Sequence, residues 1–203
     1  MRRRTALGAG LGAGLLGAAL SPLSPLSPPA WAQAPGPAAA AADAAAVLRR
    51  GGCAVLLRHA QTESGIGDPP GFRIDLCSTQ RNLSAEGREQ ARRIGAWFRA
   101  QQLAPGAVLS SAWCRCRDTA ELAFGRHAPW SALNSFFQDQ EADRGRGQAA
   151  QMREALARIA AGRFEAWVTH QVNITALTGS WVGMGEAVVV DAQGTIRARL
   201  AIA

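Results

Sequence analysis

Three apolar runs in this chain stop abruptly at polar residues, and that pattern sets the expected fold. Cys53 to Leu57 ends at Arg58-His59, Ala107 to Leu109 ends at Ser110-Ser111, and Glu165 to Val168 ends at Thr169-His170. Short apolar runs bounded by turn signals read as strands buried on both faces of a parallel sheet. Between them the spacing changes to a helical one. Ser84 is placed to cap a helix over 85–101, with Ala91, Ile94, Trp97 and Phe98 on its inner face. Further helices are expected over 43–50, ended by Gly51-Gly52, over 113–124, over 148–161 with Met152, Ala155, Leu156 and Ile159 on one face, and over 174–177. Ala187 to Val190 and Thr195 to Ala201 read as two strands joined by a loop carrying Gly194. Strands that alternate with helices give an α/β class with a largely parallel sheet. Two segments, 61–82 and 125–147, follow no period; loops of that length in compact domains are functional or mobile.

The beginning of the chain follows a different rule. Arg2-Arg3-Arg4 precedes an apolar stretch from Leu7 to Leu20, then a Pro/Ser-rich stretch and Ala30-Trp31-Ala32. That order is a secretory signal with its Ala-x-Ala cleavage site. Residues 1–32 are therefore expected to be removed, 33–42 to be a small-residue linker, and the folded domain to span 43–203. Arg3-Arg4 also permits a twin-arginine route. The expected location is periplasmic or secreted, with no stable membrane insertion after cleavage.

Export changes the reading of the cysteines, since an oxidising compartment permits disulfides. Cys77 is expected to pair with Cys114 or Cys116, and Cys53, at the start of a buried strand, to be an inert thiol. Cys114-x-Cys116 is the wrong spacing for a zinc knuckle. All 22 basic residues are arginine against 15 acidic ones, a formal charge of +7. Three of those charges lie in the signal. The remaining excess is mild and scattered, which suits an anionic small molecule and argues against nucleic acid.

The chemistry is expected where the strands end. In open α/β sheets the ligand crevice lies beyond the carboxyl ends of the strands. Neighbouring strands would bring Arg58-His59, Ser110-Ser111 with Arg115, and Thr169-His170 to one place. Guanidinium forks match phosphate oxygens, and a neutral imidazole can attack phosphorus and carry the group covalently. His127, in Gly125-Arg126-His127-Ala128-Pro129, reads as a surface-loop histidine.

These segments resemble the histidine phosphatases, the clan that includes phosphoglycerate mutases and histidine acid phosphatases. Leu57-Arg58-His59-Ala60-Gln61-Thr62 is similar to the opening Arg-His motif, and Asn82 to Ala91 to the helix start that follows it. Ser110-Ser111-Ala112-Trp113-Cys114-Arg115 resembles the segment carrying the second arginine; Val168-Thr169-His170, followed by Ile174-Thr175-Ala176-Leu177, resembles the second-histidine motif. The likeness runs from about Cys53 to Ala203. It implies a three-layer α/β/α sandwich around a mostly parallel sheet, phosphoglycerate mutase-like. It implies His59 as phosphoryl acceptor, with Arg58, Arg115 and His170 holding the phosphoryl oxygens, and Thr62 and Gln171 on the substrate wall. No metal or other cofactor is implied. The implied activity is metal-independent hydrolysis of a phosphate monoester, such as a sugar phosphate. The alternatives are a phosphotransferase or mutase on the same site, and a non-catalytic binder of phosphorylated envelope molecules. The chain departs from the family at the proton donor. No Glu follows Leu133 where mutase-like members carry one, and Gln171 follows the second histidine where acid-phosphatase-like members have Asp. Asp139 and Glu141 are the candidates left.

Overall fold

The computed structural model describes residues 36–137 and 142–202. The signal read over residues 1–32 and the proton-donor candidates Asp139 and Glu141 lie outside the described residues. Six strands form one sheet: β1 (Cys53–Arg58), β2 (Ala107–Ser110), β3 (Ala128–Pro129), β4 (Phe164–Thr169), β5 (Ala187–Asp191) and β6 (Ile196–Leu200), in spatial order β3-β2-β4-β1-β5-β6. β1, β2, β3 and β4 run parallel to one another; β5 and β6 are antiparallel additions on the other side of β1. β1 and β4 lie side by side, with Arg58 opposite Thr169. Arg58-His59 and Thr169-His170 therefore leave the sheet at the same level.

Among the described residues five helices cover the sheet: α1 (Pro37–Arg50), α2 (Ala85–Ala100), α3 (Cys114–Phe124), α4 (Ala142–Leu156) and α5 (Gln171–Thr178). Successive strand residues face opposite layers. Val55, Leu57, Ala166, Val168 and Val189 pack with Leu48 of α1, Ile94 and Phe98 of α2, and Ala120 and Ala123 of α3. Leu56, Trp167, Val188 and Val190 pack with Met152 and Leu156 of α4 and Ile174 and Leu177 of α5. These two apolar layers make the expected three-layer α/β/α sandwich, and β1 is apolar throughout because both of its faces are covered.

Glycines bring α2 in close. A Cβ on Gly87 would lie 1.8 Å from the Gln61 carbonyl, and one on Gly95 would lie 2.2 Å from that of Ala123. The first contact seats the N-terminus of α2 against the chain leaving β1. Ser84 caps that helix through its hydroxyl, which accepts from the Gly87 amide.

Three helices differ from the sequence pattern. α1 begins at Pro37, inside the stretch read as linker, because Pro at the first turn and a run of alanines favour helix. α4 runs over 142–156 rather than 148–161. Its apolar spacing continues to Ile159, but the backbone beyond Leu156 turns to pair with Gly51-Gly52: the Gly52 amide donates to the carbonyls of Ala160 and Arg163. α5 starts at Gln171, with His170 in the capping position.

Candidate active site

The end of β1 is fixed on three sides. The His59 amide donates to the Thr169 carbonyl, the Gly185 amide donates to the His59 carbonyl, and the Ala60 amide donates to Thr119 Oγ1 on α3. The His59 ring, 3% exposed, places Nδ1 2.9 Å from the Ala60 carbonyl oxygen. A carbonyl only accepts, so Nδ1 carries the hydrogen and the lone pair sits on Nε2. His170 leaves β4 beside it, with ring centroids 5.4 Å apart.

A chain of hydrogen bonds sets the His170 tautomer. The Ala112 amide donates to Asn134 Oδ1, and Ser111 Oγ donates to the same oxygen. The serine hydrogen is thereby spent, and His170 Nε2, 2.9 Å from Ser111 Oγ, must be the donor of that pair. The neutral ring then carries its lone pair on Nδ1. Burial lowers the pKa of both imidazoles: His59 falls from 6.5 to about 3 through burial first and the Arg115 charge second, and His170 falls well below 6.5 for the same two reasons. Both rings are neutral at neutral pH.

Arginines surround the pair. Arg58 Nη1 donates to the Val182 carbonyl at 3.0 Å, and its guanidinium lies 5.7 Å from the Trp181 ring centroid. Arg115, in the first turn of α3, makes a buried two-pronged ion pair with Asp68, Nη1 to Oδ1 at 2.7 Å and Nη2 to Oδ2 at 3.2 Å. Arg81 Nη1 donates to Thr62 Oγ1 at 2.7 Å and to the Gly65 carbonyl at 3.0 Å. Arg58, His59, Asp68, Arg81, Arg115, His170 and Gln171 line one cavity of about 330 Å³, and Ile66, Phe137, Trp181 and Met184 form its apolar side. Among the described residues the Nε–H groups of Arg58, Arg81 and Arg115 are buried without an acceptor. Among the described residues no group of three or more His, Cys, Asp or Glu is arranged to hold a metal ion.

The structure thus brings Arg58, His59, Arg115 and His170 together. Gln171 also lines the cavity, while its amide ties α5 to the following segment: Oε1 accepts from the Val182 amide and Nε2 donates to Thr175 Oγ1. Thr62 is not on the cavity wall; it stands behind Arg81, and its hydroxyl donates to Met184 Sδ at 3.7 Å. His127 lies away from the cavity, its Nδ1 2.9 Å from Ser110 Oγ. Cys77 pairs with Cys114, one of the two partners left open by the sequence. Cys53 and Cys116 are free and buried, and burial pushes their thiols up to about 11 and about 12, which makes both inert.

Two cavity residues, Asp68 and Arg81, escaped the sequence reading. Both sit in the long segment after β1, where no period assigns a direction to a side chain. The signal that could have found them is the disulfide. Pairing Cys77 with Cys114 lays that segment against the start of α3, so its charged residues become neighbours of Arg115.

Residues 54–136 match the family model "Histidine phosphatase superfamily (branch 1)". No curated protein shows significant sequence similarity. Solved structures share the fold. A phosphoglycerate mutase from Thermus thermophilus superposes with a TM-score of 0.54 at 21% identity, covering 74% of this chain and 99% of that one. A protein assigned as an alpha-ribazole-5'-P phosphatase from Escherichia coli gives 0.52 at 17% identity, over 74% and 96%. One assigned as the phosphohistidine phosphatase SixA from Agrobacterium tumefaciens gives 0.50 at 20% identity, over 73% and 97%. Residues 54–136 thus carry the sequence signature of the histidine phosphatase superfamily, branch 1, and the chain around them has the fold of these solved structures.

Proposed function

We propose that the chain is an exported phosphate monoester hydrolase that passes the phosphoryl group first to His59 Nε2 and then to water. The observation that carries this reading is the convergence of two neutral imidazoles and three guanidiniums on one cavity. The ester binds as a dianion among the arginines. His59 Nε2 attacks phosphorus in line as the bond to the alcohol oxygen breaks. The departing oxygen takes a proton. Water then attacks the phosphohistidine, the P–N bond breaks, and His59 returns neutral with inorganic phosphate released. His170, whose Nε2 is committed to Ser111, offers Nδ1 to the phosphoryl group; a dianion beside it favours a proton on that nitrogen, which then donates to a phosphoryl oxygen. The guanidiniums balance the charge of the transferring group without calling on a metal.

Asp139 and Glu141 are the proposed source of the leaving-group proton; Phe137, two residues before Asp139, lines the cavity. Export is supported by the signal pattern of residues 1–32 and by the Cys77–Cys114 disulfide, which persists in oxidising compartments. The test is turnover of 4-nitrophenyl phosphate by the purified protein. The expected result is release of phosphate that EDTA leaves intact and vanadate blocks. A protein that binds phosphate without turning over the ester is a binder, and the hydrolase reading fails.

A further inference from the structure

Asp68 is the one carboxylate lining the cavity among the described residues. Among the described residues, its oxygens take donors from two segments of chain: Arg115 Nη1 at 2.7 Å and Nη2 at 3.2 Å, Trp113 Nε1 at 2.9 Å, and the Arg81 amide at 3.0 Å. A carboxylate offers about four acceptor sites, so these donors fill it. Burial raises its pKa, but the hydrogen bonds and charge of Arg115, with the Arg81 amide and the Trp113 indole, outweigh that and hold it below its ordinary value. A saturated, ionised carboxylate is a poor proton donor to a departing alcohol. It is well built to hold its neighbours still.

Two consequences follow from that clamp. Gripping both terminal nitrogens of Arg115 fixes the plane of its guanidinium at the cavity wall. Binding the Arg81 amide with the same carboxylate sets where Arg81 stands relative to Arg115. The charge count matters too. Among the described residues that line the cavity, three guanidiniums and one carboxylate beside neutral imidazoles leave two positive charges. A phosphate monoester carries about two negative charges at neutral pH.

We propose that Asp68 is a positioning residue, which fixes Arg115 and Arg81 relative to each other and holds the cavity at the charge that matches a phosphate monoester dianion. The proposal rests on the hydrolase reading of the same cavity. The disulfide reinforces the clamp, because it ties Cys77 of the Asp68 segment to Cys114, the residue before Arg115.

The test compares the full chain with D68N and D68E, using calorimetry with inorganic phosphate and turnover of two esters, 4-nitrophenyl phosphate and glycerol phosphate. Loss of a negative charge beside the anion is expected to tighten phosphate binding by D68N about fivefold or more. Its kcat is expected to fall about tenfold or more, because misplaced donors no longer meet the transition state. The fall should be equal on the two esters, since a proton donor would instead be missed most on glycerol phosphate. D68E should restore phosphate affinity to within about twofold of the parent without restoring kcat. Weaker phosphate binding by D68N, a parent-like kcat, or unequal losses on the two esters overturns the proposal. If D68N does not fold, D68E alone decides: reduced kcat at parent affinity supports the proposal, and parent kcat overturns it. If the parent binds phosphate but turns over neither ester, tighter binding by D68N keeps the charge match while the hydrolase reading falls. No phosphate binding by either protein overturns both.

Discussion

The cavity has two walls built on different principles. One is carried by strand ends: Arg58-His59 after β1 and His170 after β4 stand in register because the two strands pair residue for residue. Their positions are set by the apolar layers above and below the sheet, which place many contacts behind each backbone. The other wall is carried by the segment between β1 and α2, which supplies Asp68 and Arg81. Little apolar core stands behind it, and Ile66 at its tip is 90% exposed. Polar clamps hold it instead: the Asp68–Arg115 pair, the Arg81–Thr62 hydrogen bond and the Cys77–Cys114 disulfide. The proposed nucleophile thus sits on the wall backed by the apolar layers, and part of the charge proposed to bind the anion sits on the wall that a few polar contacts secure.

Arginine substitutions separate the walls most strongly. Arg115→Ala removes a donor from the helix side and takes from buried Asp68 its two-pronged ion pair. Its kcat/KM is expected to fall on the order of 10²–10³-fold, as when an oxyanion donor is removed. Arg81→Ala touches the loop wall only and is expected to cost about tenfold. Steady-state kinetics on 4-nitrophenyl phosphate reads both. Equal losses would erase the distinction between the walls.

The disulfide gives the next effect. The double variant C77S/C114S should lose about 2–4 kcal/mol of stability in urea, since the bond closes a long loop. Its KM should rise several-fold while trapping of phosphate on His59 persists. A parent-like KM would mean that the polar clamps hold the loop wall unaided.

The walls also titrate in different windows. An imidazole held neutral binds fewer protons folded than unfolded, so its contribution to stability is lost as pH falls from 6.5 toward about 3 for His59. The Asp68 contribution is lost only below its ordinary value of 3.8, as its depressed carboxyl protonates. Between pH 6 and 4, His59→Asn should therefore flatten the stability profile by at most about 1.4 kcal/mol per pH unit. D68N should leave the slope above about pH 5 unchanged, since the carboxyl is ionised there both folded and unfolded. Urea titrations at stepped pH check both.

The same contrast explains what the sequence made legible. β1 and β4 could be read because an apolar run that stops at a charged or imidazole residue has one good placement, the end of a buried strand. The likeness at Arg58, His59, Arg115 and His170 then assigned chemistry to those ends. Asp68 was not legible, because its meaning is a contact with Arg115 across 47 residues and no local period announces it. The shift of α4 has a similar origin. Its apolar spacing extends through Ile159, but pairing of the next backbone with Gly51-Gly52, far earlier in the chain, ends the helix sooner. The early start of α1 has a local cause, since alanine after Pro37 favours helix as much as it suits a linker.

The most direct test of the account is to quench the enzyme during turnover of a radiolabelled aryl phosphate and map the label. The account predicts one acid-labile, base-stable phosphoryl group on the peptide containing His59, absent from His59→Ala. Label on any other residue, or turnover by His59→Ala at the parent's rate, would contradict it.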